Sequence, residues 1–160
     1  REQAALAKSL GITDYSQPAG GCLLTEKVYS ARLRDAFERS GPDALDLDGF
    51  RLLRYGRHFR LSDWVKLIVG RNEAENEVLA GLSEGRILIE PVDVMGPTAL
   101  IEGEATEAEI GLAAAIVARY SDCDEGRPVR FRVKGGGFER ELNVIPLSPV
   151  DPRIPEWRIG

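Results

Sequence analysis

Val129-Arg130-Phe131-Arg132-Val133-Lys134 alternates apolar and cationic residues with the period of a β-strand. On such a strand one face is core and the other presents Arg130, Arg132 and Lys134 in a row. Adjacent cations repel, so a polyanion on that face would account for them; a solvated strand face is the competing reading. A second cationic stretch runs from Arg51 to Arg71, where Arg51, Arg54, Arg57, Arg60, Lys66 and Arg71 stand against Asp63 alone. Tyr55, His58 and Phe59 are interleaved with these cations. Arginine beside aromatic rings suits stacked, unpaired bases as well as phosphates.

Other residues with chemical potential are more isolated. Gly70-Arg71-Asn72 opens a helix, and a helix N-terminus beside an arginine is a ready anion site. Capping competes with that reading, because Glu73 and Glu75 complement the helix dipole by roughly 0.3–1 kcal/mol each and repel phosphate. The run lacks the Gly-x-x-x-x-Gly-Lys of a nucleotide-binding loop. His58 is the only histidine and has no Cys or His at metal spacing, so a surface or RNA-facing polar role is expected of it. Cys22, in Gly20-Gly21-Cys22, is a candidate reactive thiol without a sequence-near base, and a structural cysteine is the alternative. The carboxylates of 102–109 and 122–125 read as a solvated rim, and no serine sits in a Gly-x-Ser-x-Gly elbow.

A chain of 160 residues with 43% hydrophobic and 29% charged residues can build one ordinary globular core. No apolar run approaches the roughly 20 residues of a membrane span, so no membrane partner is expected. Arg1 opens a polar, Ala-rich helix rather than a signal peptide, and the missing initiator Met points to a fragment or a processed chain. Cys22 and Cys123 lack paired spacing, which favours reduced thiols and a cytoplasmic location. The net charge of −5 argues against nucleic acid, but the charge is polarised: residues 83–126 hold ten acids and two arginines, away from both cationic stretches.

The elements that must position these residues follow from pattern. Residues 2–10 form a short helix, 14–22 a loop, and Thr25 caps a helix over 26–40. Two short strands flank Gly56 within 51–61. Val65–Val69 is a central strand, apolar on both faces, and feeds a helix capped by Asn72 with Glu75 completing a capping box. Strands 86–90 and 98–102 follow, then a helix opened by the Thr106/Glu109 box. Residues 128–133 and 139–145 form a hairpin across Gly135-Gly136-Gly137. The tail, with Pro146, Pro149, Pro152 and Pro155, is expected to run extended.

Two stretches carry a family resemblance. Gly70-Arg71-Asn72-Glu73-Ala74-Glu75-Asn76-Glu77 resembles the GRxxxxNE element of the NFACT RNA-binding domain, found in fibronectin-binding-like and ribosome quality-control proteins. Asp93-Val94-Met95-Gly96-Pro97 with the strand after it, and the helix ending in Tyr120-Ser121, resemble that domain's next elements. Order and spacing agree over about residues 64–134, though Ile87-Leu88-Ile89-Glu90 replaces the family's frequent aromatic-x-His strand. Leu6–Ile12, Tyr15 and Pro18–Thr25 resemble the segment after the catalytic domain in PP-loop tRNA thiolation proteins. Those proteins are thiouridine synthase-like and are often labelled tRNA 2-thiouridylase or tRNA (5-methylaminomethyl-2-thiouridylate) methyltransferase. The PP-loop is not in this chain, so the resemblance implies an upstream catalytic domain that uses ATP.

The expected fold is α+β: a mixed or mainly antiparallel sheet packed by two main helices behind a helical adaptor. The divisions are an adaptor over 1–49, an NFACT-like RNA-binding domain over 50–147 and an extended tail over 148–160. The expected function is tRNA capture and positioning for thiolation, with Arg57, His58, Arg60, Lys66, Arg71, Arg130, Arg132 and Lys134 as contacts. The chain alone reads as non-catalytic and without a cofactor. The alternatives are an enzyme half-site contributing Cys22 and a protein-interaction or dimerisation module.

Overall fold

A computed structural model describes residues 9–11, 22–41, 45–124 and 126–160. The strands are β1 (Arg57–Arg60), β2 (Lys66–Val69), β3 (Ile87–Pro91), β4 (Ala99–Glu102), β5 (Val129–Gly135), β6 (Phe138–Val144) and β7 (Arg158–Ile159). They form one sheet in the order β6-β5-β3-β4-β2-β1-β7. Every pairing is antiparallel, which decides between the two sheet types expected of the α+β class. The helices are α1 (Lys27–Ser40), α2 (Leu47–Leu52), α3 (Glu73–Gly81), α4 (Glu107–Arg119) and α5 (Arg153–Trp157).

The two sheet faces are covered unequally. On one face Phe59, Leu67, Val69, Ile89, Ile101, Phe131 and Val133 meet Ile110, Ala113, Ala114 and Val117 of α4. Each fully buried Leu, Ile or Phe contributes about 1.5–3 kcal/mol, so this layer dominates the fold's stability. On the other face Ile68 and Leu100 pack with Leu79 and Leu82 near α3 and with Leu52 of α2. That second layer stops short of β5, whose alternate residues Arg130, Arg132 and Lys134 are exposed. β2, buried at all its positions, is central as its sequence predicts.

Local chemistry fixes the ends of these elements. Thr106 Oγ1 accepts from the Glu109 N–H at 3.3 Å, and Glu109 Oε2 accepts from the Thr106 N–H at 2.8 Å, completing the capping box of α4. Ser62 donates to the other Glu109 oxygen at 2.6 Å and so ties the β1–β2 turn to that helix. Gly136 and Gly137, with φ of +57° and +83°, supply the two left-handed positions of the β5–β6 turn.

Three expectations are corrected. Residues 51–55 are not a strand: Asp46 caps α2 by accepting from the Gly49 N–H at 2.6 Å, and Leu52 and Leu53 are both fully buried. Two adjacent apolar residues suit a helix end packed on the sheet better than a strand with one wet face. Thr25 does not cap α1: its hydroxyl donates to the Cys22 carbonyl at 2.6 Å and closes a short 3-10 turn, and α1 starts after Glu26. The tail is not extended throughout: α5 forms and β7 pairs with β1. Pro155 is tolerated because it lies in the first turn of α5, where no intrahelical N–H bond is lost. The expected helix over 2–10 lies almost wholly outside the described residues, as does the loop before Cys22.

α1 is tied to the sheet. Arg32 is buried and donates to the Leu53 carbonyl at 2.7 Å and the Gly56 carbonyl at 2.8 Å. Burial, then Arg71 and Arg158, lower its pKa to about 10, against a raising effect of Glu75, so it is charged at neutral pH. Asp35 of α1 pairs with Arg60 of β1, and Arg39 with Asp63.

Candidate nucleic-acid interface

The turn from β2 into α3 explains the types of its residues. A Cβ on Gly70 would lie 2.1 Å from Asn76 Oδ1. That oxygen accepts from the Thr98 N–H at 3.1 Å and so joins α3 to the start of β4. Asn72 Oδ1 caps α3 by accepting from the Glu75 N–H at 3.0 Å. Glu75 departs from the expected capping box. One of its oxygens accepts from the Arg71 N–H at 2.9 Å and the Gly56 N–H at 3.2 Å, and both take the Arg71 guanidinium. Burial works to raise the Glu75 pKa, but these bonds outweigh it and hold the carboxyl below its ordinary value. The chain's own groups thus occupy this helix end, which favours capping over anion binding.

Beside the turn lies a cleft of about 480 Å³, lined by Arg57, Arg71, Asn72, Glu73, Met95, Gly96, Tyr120 and Asp122 among others. The Arg57 guanidinium sits 4.7 Å from the centre of the Tyr120 ring and donates to the Gly70 carbonyl at 3.2 Å. Arg119 lies 5.1 Å from the same ring. The Asp122 N–H donates to the Met95 carbonyl at 2.7 Å and pins the 91–97 loop to the end of α4. A Cβ on Gly96 would lie 2.3 Å from Ser121 Oγ, so glycine permits this close approach. Met95 is 78% exposed. Arginine–ring stacks, an exposed thioether and amide groups in one cleft can hold a planar ring and a phosphate.

The remaining expected contacts divide. His58 is fully buried, and its Nε2 lies 2.9 Å from the Tyr55 carbonyl and 3.2 Å from that of Leu52. Burial, then Lys66 and Arg32, push its pKa well below 6.5, so it is a neutral donor inside the fold rather than an RNA-facing residue. Lys66 is 4% exposed and pairs with Glu102, which also takes Arg86 at 3.0 Å. Arg60 is engaged by Asp35. These residues share the register of Ile68, on the face that the second layer covers. Strand alternation separates the faces but does not say which is covered.

Arg130, Arg132 and Lys134 line the open face of β5 as their alternation predicts. Acids from both neighbouring strands stand against them: Glu90 opposite Arg132, Glu141 opposite Arg132, and Glu139 opposite Lys134. Arg130 lies 3.5 Å from Glu141 and 3.8 Å from Asp93, and Arg132 lies 3.6 Å from Glu139. The cation row is thus answered within the sheet and needs no polyanion to explain it. Of the expected contacts, the cleft brings together Arg57 and Arg71, and sequence reasoning missed Met95 as a partner for them.

Cys22 is exposed just before the 3-10 turn. Among the described residues no group of three or more His, Cys, Asp or Glu could hold a metal ion. The Cys123 thiol donates to the Ala118 carbonyl at 3.4 Å, and burial, Asp124 and Asp122 raise its pKa, so it stays a thiol. No described helix is long and apolar enough to cross a membrane.

No curated protein matches the chain. Among solved structures, the C-terminal part of the fibronectin/fibrinogen-binding protein from Streptococcus suis is similar in fold, with a TM-score of 0.54 and 15% identity. The likeness covers 82% of this chain and 67% of that one. At such identity it establishes the fold alone. The family comparison reaches further than the expected span of 64–134, for it takes in β1 and the tail through α5. Residues 56–158 match the family described as the NFACT protein RNA binding domain, and the chain belongs to that family of RNA-binding domains.

Proposed function

We propose that this domain captures tRNA and positions it for thiolation by an ATP-dependent PP-loop domain upstream. The observation that carries the RNA part is the family match over residues 56–158. The tRNA and thiolation parts are supported by the likeness of Leu6–Thr25 to the segment that follows PP-loop catalytic domains. No bond chemistry is assigned to this chain: its part is binding and orientation, and ATP belongs to the upstream domain. An RNA partner and free cysteines support a cytoplasmic location. Cys22, exposed ahead of α1, would reach the upstream site as a thiol carrier, in which case Cys22→Ser in the longer protein abolishes thiolation and spares tRNA binding.

The test is binding of this chain to bulk tRNA at two salt concentrations. With Arg71 held by Glu75, Arg57 as the phosphate contact predicts a log–log salt slope of about −0.7 for unpaired strands. Arg57→Glu weakens binding, and Arg130→Glu/Arg132→Glu leaves it nearly intact. No binding at low salt rejects the reading.

A further inference from the structure

We infer that the cleft between Arg57, Met95 and Tyr120 accepts one unpaired nucleobase, so that the domain selects looped or single-stranded RNA over duplex. This rests on the RNA-binding reading above and adds the class of RNA.

Electrostatics argues first. Duplex binding draws its affinity from many cations that release counterions. This chain carries a net charge of −5, and its most ordered cation row, on β5, is flanked by Glu90, Glu139 and Glu141. At the cleft Arg71 is already paired with Glu75, and Glu73 and Asp122 line the same walls. Too little free positive charge remains to hold a duplex backbone. Affinity must come from the faces and edges of bases.

The cleft has the parts for that. Arg57 lies over the Tyr120 ring at 4.7 Å, and a guanidinium held there is itself a flat group against which a base can stack. Met95 is 78% exposed, yet its backbone is fixed by the bond from the Asp122 N–H. A polarizable apolar side chain is thereby held at the cleft with no part in the core. The volume of about 480 Å³ suits a ligand the size of a nucleoside. Asn72 supplies an amide and Asp122 a carboxylate acceptor for a base edge. A base inside a duplex is stacked on both faces and cannot enter.

The experiment measures anisotropy of two labelled RNAs with the 160-residue chain. One is a stem closed by an unpaired loop, and the other is the same stem as a blunt duplex. The loop RNA binds about tenfold tighter or more, since stacking of one base supplies a factor of that order. Met95→Ala removes most of this advantage; the residue is exposed, and an unaltered thermal melt verifies the fold. Equal affinity for the two RNAs, or an unchanged loop affinity in Met95→Ala, overturns the inference while RNA binding stands. Failure of both RNAs to bind overturns the RNA reading with it.

Discussion

Replacing Glu75 with alanine removes the acceptor on which β1, β2 and α3 converge. The Gly56 N–H loses its acceptor in a buried position, and an unsatisfied buried donor costs about 1–3 kcal/mol. The Arg71 side chain is 47% exposed, so its ion pair with Glu75 contributes under about 1 kcal/mol. The Arg71 N–H faces water once released and adds little. The buried Arg32 also loses the acid that favours its charge. Together these place the loss at about 2–4 kcal/mol, which lowers the Tm of a domain this size by about 5–15 °C. Urea unfolding at pH 7, read from Trp64 and Trp157 fluorescence, measures it. Glu75→Gln retains a carbonyl acceptor for the two backbone donors and loses about half as much. A loss below about 0.5 kcal/mol in Glu75→Ala would refute this assignment of the carboxylate.

Gly70→Ala drives a Cβ into Asn76 Oδ1 and frees the Thr98 N–H, costing about 1–3 kcal/mol in a thermal melt. In an Asn76→Ala background the same change costs less, because the clash is gone. Thr106→Ala opens the capping box of α4 and costs about 1 kcal/mol. The folded pKa values of Glu75, Glu102 and Glu109 lie below the ordinary 4.5. Their contribution is therefore full above pH 4.5 and is lost as pH falls through the folded values. His58 acts earlier: its folded pKa lies below 6.5, so only the unfolded chain takes up a proton just under that pH. The urea midpoint should begin to fall below pH 6.5 and fall more steeply below 4.5.

Where the sequence encodes an element locally, its reading and the structure mostly agree, the exception being Thr25, which closes a 3-10 turn on Cys22 instead of capping α1. Val65–Val69, Gly70 and Asn72 specify a buried strand, a close turn and a cap within a few residues. Thr106 with Glu109, and Gly136 with Gly137, do the same for α4 and the last hairpin. The other differences arise where a distant partner decides. Leu52 and Leu53 are buried by packing that their own spacing does not describe. His58 and Lys66 face inward because the second layer covers that part of the sheet. The β5 cations are matched by Glu139 and Glu141 across the hairpin and by Glu90 of β3. β7 exists only because β1 offers an edge. The cleft draws Arg57, Met95 and Tyr120 from separate segments, and only the Gly70–Glu77, Asp93–Pro97 and Tyr120-Ser121 motifs marked its neighbourhood.

Ultraviolet crosslinking of the chain to bulk tRNA, with mass-spectrometric mapping of the adducts, bears most directly on RNA capture at this cleft. Capture there predicts adducts on Tyr120 and on the 94–97 loop, diminished in Arg57→Glu. Adducts confined to β5 and β6, with none at Tyr120 or Met95, would contradict it and return the interface to the open face of the sheet.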